Sequence, residues 1–233
     1  MSFLTESPLG SHVASLPVIS HQLGRSQMSE STPVVFVIDD DVSVRESLEA
    51  LIGRQGWRPE TFATPEEFLS HPPEPVPNCL IFNVSVSGPR GLELQQRLAT
   101  DRPEVSIIFL SATDDVPTTV KAMKAGAVEF FTKPFRSDAL LSAIREALER
   151  SRFALANEAE KRALRSCYAS LSRRERQVMT LVAAGLLNKQ VGYELGISEI
   201  TVKAHRGQVM QKMQANSFAD LVKMAAKLGI AAA

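Results

Sequence analysis

Residues 33–41 read PVVFVIDDD, an apolar run that ends in three consecutive aspartates. Five β-branched or aromatic residues in succession are typical of a buried strand. Such a strand places Asp39, Asp40 and Asp41 at its carboxyl end, which is where ligands bind in open parallel sheets. The stretch therefore predicts a strand with an acidic cluster at the ligand-binding edge of a parallel sheet.

Three further apolar runs also end in polar residues. They are Cys79–Phe82, followed by Asn83; Val105–Leu110, followed by Ser111; and Ala127–Phe131, followed by Thr132 and Lys133. We therefore expect four strand ends to bring carboxylates, an amide, a hydroxyl and a lysine to one edge of the sheet.

Strand and helix patterns alternate through residues 33–152, which indicates a parallel sheet with crossover helices. The predicted helices are Val42–Gln55, one that begins after the Thr64 N-cap, Leu92–Thr100, Val116–Ala125 and one capped by Ser137. This order predicts a flavodoxin-like, doubly wound α/β domain with a five-stranded parallel sheet.

Residues 169–233 carry a different pattern, which predicts a small all-α domain of four helices. The predicted helix caps are the Ser172 capping box, Asn188, Ser198 and Ser217. A tight turn at Gly196 joins the second of these helices to the third. Two short helices joined in this way are typical of a helix-turn-helix.

Residues 153–168 are interpreted as a polar linker between the two domains. Alternatively, the fifth helix continues, because Leu141, Leu148 and Leu155 lie seven residues apart and could form a heptad seam between two chains. Residues 1–32 lack sustained periodicity and predict a disordered N-terminal extension. Met28 is an alternative start of the chain.

Composition narrows the class of protein. No apolar run reaches the roughly 18 residues that suggest a membrane span, and no basic segment precedes an apolar one as in a signal peptide. The two cysteines, Cys79 and Cys167, offer neither a disulfide framework nor metal-ligand spacing. These features predict a cytoplasmic protein.

Charge is divided unevenly along a chain whose net charge is zero. Residues 33–153 contain 13 basic and 18 acidic side chains, whereas residues 154–233 contain 12 basic and 6 acidic ones. The basic second part is therefore a candidate for binding a polyanion such as DNA.

The polar strand ends, with these spacings, resemble the receiver domain of bacterial response regulators. The resemblance implies that Asp39 and Asp40 form an acidic pair. It also implies switch residues at Ser111 and Phe130, and a phosphate-pairing Lys133 before a cis proline. The phosphoacceptor aspartate of the family falls on position 83, where this chain has asparagine.

Asn83 changes the chemistry that the resemblance implies. A carboxamide is neutral and a very poor nucleophile, so an aspartyl phosphate cannot form there. In the family, Mg²⁺ binds the acidic pair, the phosphoacceptor and a backbone carbonyl that corresponds to Ser85 here. With one formal charge missing, we expect Mg²⁺ binding through Asp39, Asp40 and the Ser85 carbonyl to be weak or absent. An enzyme is the weakest of the functional hypotheses.

The run LSRRERQVMTLVAAGLLNKQVGYELGISEITVKAHRGQVMQKM at residues 171–213 resembles the LuxR-type DNA-binding domain. Both halves together resemble the NarL/FixJ class of regulators. Two stretches point to its FixJ branch: KAMKAGAVEFFTKPF at residues 121–135 and SFADLVKMA at residues 217–225. The helix after Ser198 would enter the major groove of promoter DNA. The expected DNA-contacting residues are Lys189, Thr201, Lys203, Ala204, His205, Arg206, Gln208 and Lys212. The expected buried face of this helix contains Ile200, Val202, Val209 and Met213.

The predicted fourth helix resembles the surface through which active receivers form homodimers. The residues concerned are Val116, Val120, Lys121 and Lys124, with Asp114 and Asp115 as opposing charges. An isologous interface requires such self-complementary polarity. A solvated, charged face is the alternative interpretation.

These patterns predict a dimeric transcription regulator whose control does not depend on phosphorylation, with a histidine kinase or another regulator as a possible partner. Two alternatives stay open. One is an ordinary phosphorylation-switched regulator that carries an engineered Asp-to-Asn change at position 83. The other is a module that does not act on DNA and titrates a kinase or a sibling regulator. Ser87, where the family usually has proline, favours natural divergence over engineering.

Overall fold

The computed structural model describes residues 32–84, 90–113 and 115–230 of the chain. The strands in these ranges are β1 Val34–Ile38, β2 Arg58–Phe62, β3 Asn78–Asn83, β4 Ser106–Ser111 and β5 Glu129–Thr132. The helices are α1 Val42–Gly53, α2 Pro65–Ser70, α3 Arg90–Asp101, α4 Val116–Lys124, α5 Ser137–Ala169, α6 Arg173–Ala183, α7 Asn188–Leu195, α8 Glu199–Lys212 and α9 Phe218–Lys227. All strand pairs are parallel, in the order β2-β1-β3-β4-β5. The predicted doubly wound α/β domain with a small all-helical domain is confirmed.

Apolar layers cover both faces of the sheet. On one face, Val37 belongs to a core cluster with Ile52 of α1 and Ile144 of α5. On the other face, Phe36 packs in a cluster with Phe68 of α2. Because both faces are covered, β1 is buried at every position, and this explains why it reads as a continuous apolar run.

Strand β2 is the element that no apolar run predicted. It reads RPETF, lies at the edge of the sheet beside β1, and is mostly half-buried. An edge strand needs fewer apolar residues than a central one. Its existence therefore followed from the alternation of elements rather than from its own residues.

Helix α5 is longer than predicted, with 33 residues. Residues 153–168, interpreted as a polar linker, are helical because the segment is rich in Ala, Leu, Glu, Lys and Arg, which favour helices. The heptad alternative is wrong at Leu141 and Leu148, since both pack against the core of the α/β domain. Leu164 instead packs in the core of the C-terminal helices. The domain boundaries themselves stay predictions.

Most predicted helix starts are confirmed. The Ser172 side chain accepts a hydrogen bond from the Glu175 backbone, and the Glu175 side chain accepts one from the Ser172 backbone, so the capping box is present. Thr64, Ser198 and Ser217 also cap their helices. The Lys133–Pro134 peptide bond is cis, as the family resemblance implied.

Two predicted caps are wrong by one residue. The N-cap of α5 is Arg136 rather than Ser137, and the N-cap of α7 is Leu187 rather than Asn188. In both places the preceding residue has the extended backbone of a cap, so the polar residue already belongs to the first turn.

Several predictions concern residues 1–31, which lie outside the described residues, so the predicted disorder there stays a prediction. Among the residues that are described, no helix combines the length and the apolar character that crossing a bilayer would require. Cys79 and Cys167 are free thiols, and burial raises the pKa of the Cys79 thiol.

Candidate functional sites

Three of the predicted strand ends meet through side-chain hydrogen bonds at the carboxyl edge of the sheet. The Asn83 amide nitrogen donates to Asp39 Oδ1 at 3.0 Å, and the Lys133 ammonium donates to Asp39 Oδ2 at 2.9 Å. The Asp39 side chain is only 1% exposed, and a buried carboxylate needs such donors. Asp39 is therefore the centre of this pocket, and Lys133 balances its charge.

The three consecutive aspartates occupy different environments. Asp40 is exposed, whereas Asp41 is the N-cap of α1 and accepts a hydrogen bond from Ser43 N at 2.8 Å. Arg45 donates to the backbone oxygens of Asp39 and Asp40 at 2.6 and 3.1 Å. Arg45 was not among the predicted site residues, although it lies close to the start of the helix that follows the aspartates.

The two predicted switch residues are held by neighbours around β4. Ser111 Oγ donates to the Thr113 carbonyl oxygen at 2.8 Å and accepts from Thr113 N at 3.1 Å. These bonds tie the hydroxyl to the loop that follows β4. Phe130 is half-buried, and its ring centre lies 6.1 Å from that of Phe109.

Both side-chain oxygens of Asp39 already accept hydrogen bonds in this arrangement. Asp39 Oδ1 accepts from both the Asp41 backbone at 3.0 Å and the Asn83 amide, while Oδ2 faces Lys133. Both oxygens are thus directed at hydrogen-bond donors, whereas Mg²⁺ requires oxygen ligands in octahedral geometry. Ser85, the source of the expected carbonyl ligand, lies outside the described residues.

The C-terminal helices form a second site with its own apolar core. Val178 of α6 and Val202 of α8 are fully buried in it. Gly196 ends α7 with φ of 64°, a left-handed conformation that suits glycine. At Gly192 a Cβ would lie 2.8 Å from the Ile197 carbonyl oxygen. These two glycines allow α7 and α8 to pack closely across the turn of a helix-turn-helix.

The predicted DNA-contacting residues on α7 and α8 differ in their exposure. Those exposed to solvent are Lys189, Lys203, Ala204 and Gln208, and those half-buried are Thr201, His205, Arg206 and Lys212. The Lys203 side chain is 62% exposed, with its ammonium 3.1 Å from the Glu199 carboxylate. An exposed pair of this kind is weak, so Lys203 is available to DNA.

Arg206 is held by neighbouring helices. Its guanidinium donates to Asn188 Oδ1 at 3.3 Å and lies 4.6 Å from the centre of the Phe218 ring. These contacts join α8 to α7 and α9. Arg206 therefore has a packing role, which sequence analysis missed, and its contact with DNA stays a prediction.

Lys212 forms an ion pair with buried Glu175. Its ammonium lies 2.9 and 2.7 Å from the two carboxylate oxygens. The hydrogen bond from Lys212 and that from the Ser172 backbone lower the pKa of the Glu175 carboxyl. A phosphate contact by Lys212 would compete with this pair. No sequence pattern relates these two residues, because they belong to different helices.

The prediction for Ile200 is wrong. It was expected on the buried face of α8, but it is 80% exposed, whereas Val202, Val209 and Met213 are buried as expected. An α-helix completes one turn in 3.6 residues. Two residues that are two positions apart therefore lie on nearly opposite sides of the helix, so Ile200 faces away from the core that contains Val202. Ile200 therefore lies on the outer surface of the helix.

Comparisons with known proteins identify a family for each of the two domains. Residues 35–145 match the response regulator receiver domain, and residues 169–225 match the bacterial regulatory proteins of the luxR family. The chain is 42% identical over 207 residues to the response regulator protein TmoT of Ectopseudomonas mendocina, covering 89% of this chain and 94% of TmoT. It is 38% identical over 196 residues to the transcriptional regulatory protein FixJ of Bradyrhizobium diazoefficiens, covering 84% and 96% of the two chains. This protein is a response regulator of the NarL/FixJ type.

A solved structure extends the likeness to the architecture of this response regulator. The response regulator StyR is 42% identical and aligns with a TM-score of 0.71, covering 84% of this chain and all of StyR. The family pairs a receiver with a DNA-binding domain that regulates transcription.

The response regulator carries an exposed apolar stripe on α4. Val116 is 63% exposed and Val120 is 44% exposed, and Met123 continues the same face one turn later. Lys121 and Lys124 are exposed beside it, as is Asp115. The predicted dimerisation residues thus lie on one accessible helix, while Asp114 lies outside the described residues.

Proposed function

We propose that this response regulator binds promoter DNA as a homodimer and that its activity does not require phosphorylation at position 83. The observation that carries the proposal is the carboxamide of Asn83 hydrogen-bonded to buried Asp39. A neutral amide cannot attack a phosphodonor as a carboxylate does. Partner binding, constitutive dimerisation or expression level would then set its activity.

The charge of the pocket supports the same proposal. Asp39 and Lys133 form a direct ion pair, and Asn83 adds no charge to it. In a receiver with three acids and one lysine, the resting pocket carries excess negative charge, which a cation relieves. Here that excess is smaller by one, so we expect only weak Mg²⁺ binding at Asp39 and Asp40.

The helix-turn-helix supports direct DNA binding. Exposed Lys203, Ala204 and Gln208 share one surface of α8, and the amino-terminal part of such a helix enters the major groove. A dimer would occupy two half-sites about one helical turn apart. We propose that the stripe of Val116 and Val120 on α4 forms the interface of that dimer.

The remaining assignments follow from this proposal. The protein acts as a cytoplasmic regulator rather than an enzyme, and a histidine kinase or another regulator is its candidate partner. The alternative is an engineered Asp-to-Asn change at position 83 in a regulator that is normally switched by phosphorylation. Such a change would give the same pocket geometry. A module that only titrates a kinase would not need a DNA-reading surface on α8.

The proposal is tested by selecting a binding site from random duplexes with the full chain at fixed salt and measuring its affinity. Lys203→Ala is expected to weaken binding by about 1–2 kcal/mol through loss of a base or phosphate contact. Lys223→Ala is the matched control, because it removes an exposed lysine from α9 rather than from α8. If no sequence is enriched, or if both variants bind like the original chain, direct reading by α8 is excluded.

A further inference from the structure

The outer surface of α8 carries an apolar side chain where the helix begins. Ile200 is the second residue of the helix and is 80% exposed. Ala204 lies one turn later and is also exposed, so the two side chains are neighbours on the helix surface. At Gly207, a Cβ would meet no atom within 4 Å. After Ile200, the residues on this side of the helix therefore have small side chains or none.

Charged side chains border this apolar line. Glu199 and Lys203 lie on either side of Ile200 in the sequence, and their charged groups are 3.1 Å apart. Ile200 contributes nothing to the core that Val202 and Val209 form. A single exposed apolar residue is ordinary on a protein surface. Ile200, however, lies at the amino-terminal end of α8, which is the end that enters the major groove in a helix-turn-helix.

We propose that Ile200 determines base preference by contacting the 5-methyl group of a thymine in the major groove. This inference rests on the proposed DNA-binding function. In the major groove, the thymine methyl is the feature of a base edge that is recognised by apolar contact. A branched aliphatic side chain without hydrogen-bonding groups matches a methyl group and disfavours polar base edges. Ala204 lies one turn further along the same surface and extends the apolar contact.

The test uses the full chain and the duplex enriched by selection. Each thymine of a half-site is replaced in turn by deoxyuridine, which removes only the methyl group, and affinity is measured at one salt concentration. For the original chain, replacement of one particular thymine per half-site is expected to weaken binding about fourfold. This is the affinity that burial of one methyl group contributes. Ile200→Ala is expected to bind the thymine duplex more weakly and to lose nothing further on replacement with uridine at that position.

Two further variants control for unrelated effects. Ile200→Val keeps most of the contact and should retain the sensitivity to uridine. Leu187→Ala removes another exposed aliphatic side chain, at the start of α7, and should leave the uridine profile unchanged.

The outcomes separate the inference from the function on which it rests. If Ile200→Ala shows the same uridine profile as the original chain, the inference is overturned while DNA binding stands. If Ile200→Ala instead alters sedimentation without altering the profile, Ile200 contacts protein rather than thymine. If the original chain enriches no sequence, the proposed function and the inference both fail.

Discussion

At position 83, the proposed function places an amide nitrogen where the family resemblance implies a carboxylate oxygen. Asn83 donates to Asp39 at 3.0 Å, whereas two carboxylates at this distance would repel each other. The side chain thus links the ends of β1 and β3 by a hydrogen bond. Under the proposed function, the amide at this position cannot act as the nucleophile, and its hydrogen bond holds Asp39 in the resting pocket.

The first prediction concerns the chemistry of this residue. With acetyl phosphate and Mg²⁺, the original chain is expected to gain no phosphoryl group, because an amide is a very poor nucleophile. Asn83→Asp should gain one, observed as an increase in intact mass, and Asn83→Ala should not. Intact mass before the reaction shows whether Asn83 has deamidated. Phosphorylation of the original chain at position 83 would contradict the prediction.

At the residue scale, contacts are predictable from sequence where a strand pattern fixes which side chains are neighbours. Asp39 and Lys133 were placed together because each follows a strand of one parallel sheet. The pair of Glu175 and Lys212 was missed, since it depends on how α6 packs against α8. Ile200 was predicted on the buried face because it is apolar. Its spacing from Val202 and Val209 in fact places it on the opposite side of the helix.

At the scale of elements, the capping box of α6 both begins that helix and connects it to α8. Glu175 accepts from the Ser172 backbone at 2.7 Å and also pairs with Lys212. One carboxylate therefore fixes the first turn of α6 and the last turn of α8. The placement of α8 against the rest of the domain depends partly on this group.

The second prediction follows from the lowered pKa of Glu175. A folded pKa below the unfolded value of about 4.3 means that the ion pair stabilises the fold above that pH. The stabilisation is lost as pH falls through the folded pKa. Glu175→Gln should lower the free energy of unfolding by about 1–2 kcal/mol at pH 7 and by less at pH 3.

Denaturant unfolding at both pH values measures this effect. Glu194→Gln is the control, since it neutralises an exposed carboxylate on α7 and should change stability little at either pH. Equal effects of the two substitutions at pH 7 would rule out a special role for the Glu175 pair.

Elements differ in how far sequence predicts them. The central strands were found because burial on both faces makes them continuously apolar, whereas the edge strand β2 carries no such run. The polar half of α5 was interpreted as a linker because it lacks a clear apolar face. Its helical state follows from residue propensity and from its docking through Leu164.

At the scale of the whole molecule, the predicted dimer brings two α4 stripes together. The third prediction is that Val120→Arg shifts the chain towards monomer in sedimentation equilibrium, because it adds charge beside Lys121 and Lys124 in an apolar contact. Val42→Arg changes a similarly exposed valine on α1 and should leave the dimer intact. A monomer–dimer equilibrium unaffected by Val120→Arg would exclude this surface.

Loss of the dimer should also weaken DNA binding. Two linked half-site contacts bind more tightly than one, because the second becomes effectively intramolecular. We therefore expect Val120→Arg to bind a two-half-site duplex more weakly while binding a single half-site like the original chain. Equal weakening on both duplexes would indicate damage to the DNA-binding domain instead.

The central claim is that DNA binding by this regulator is independent of phosphoryl transfer to position 83. The most direct measurement is the affinity of the full chain for its selected duplex, with and without acetyl phosphate and Mg²⁺. The predicted result is the same tight binding in both conditions. Specific binding that develops only after treatment with the phosphodonor would contradict the claim.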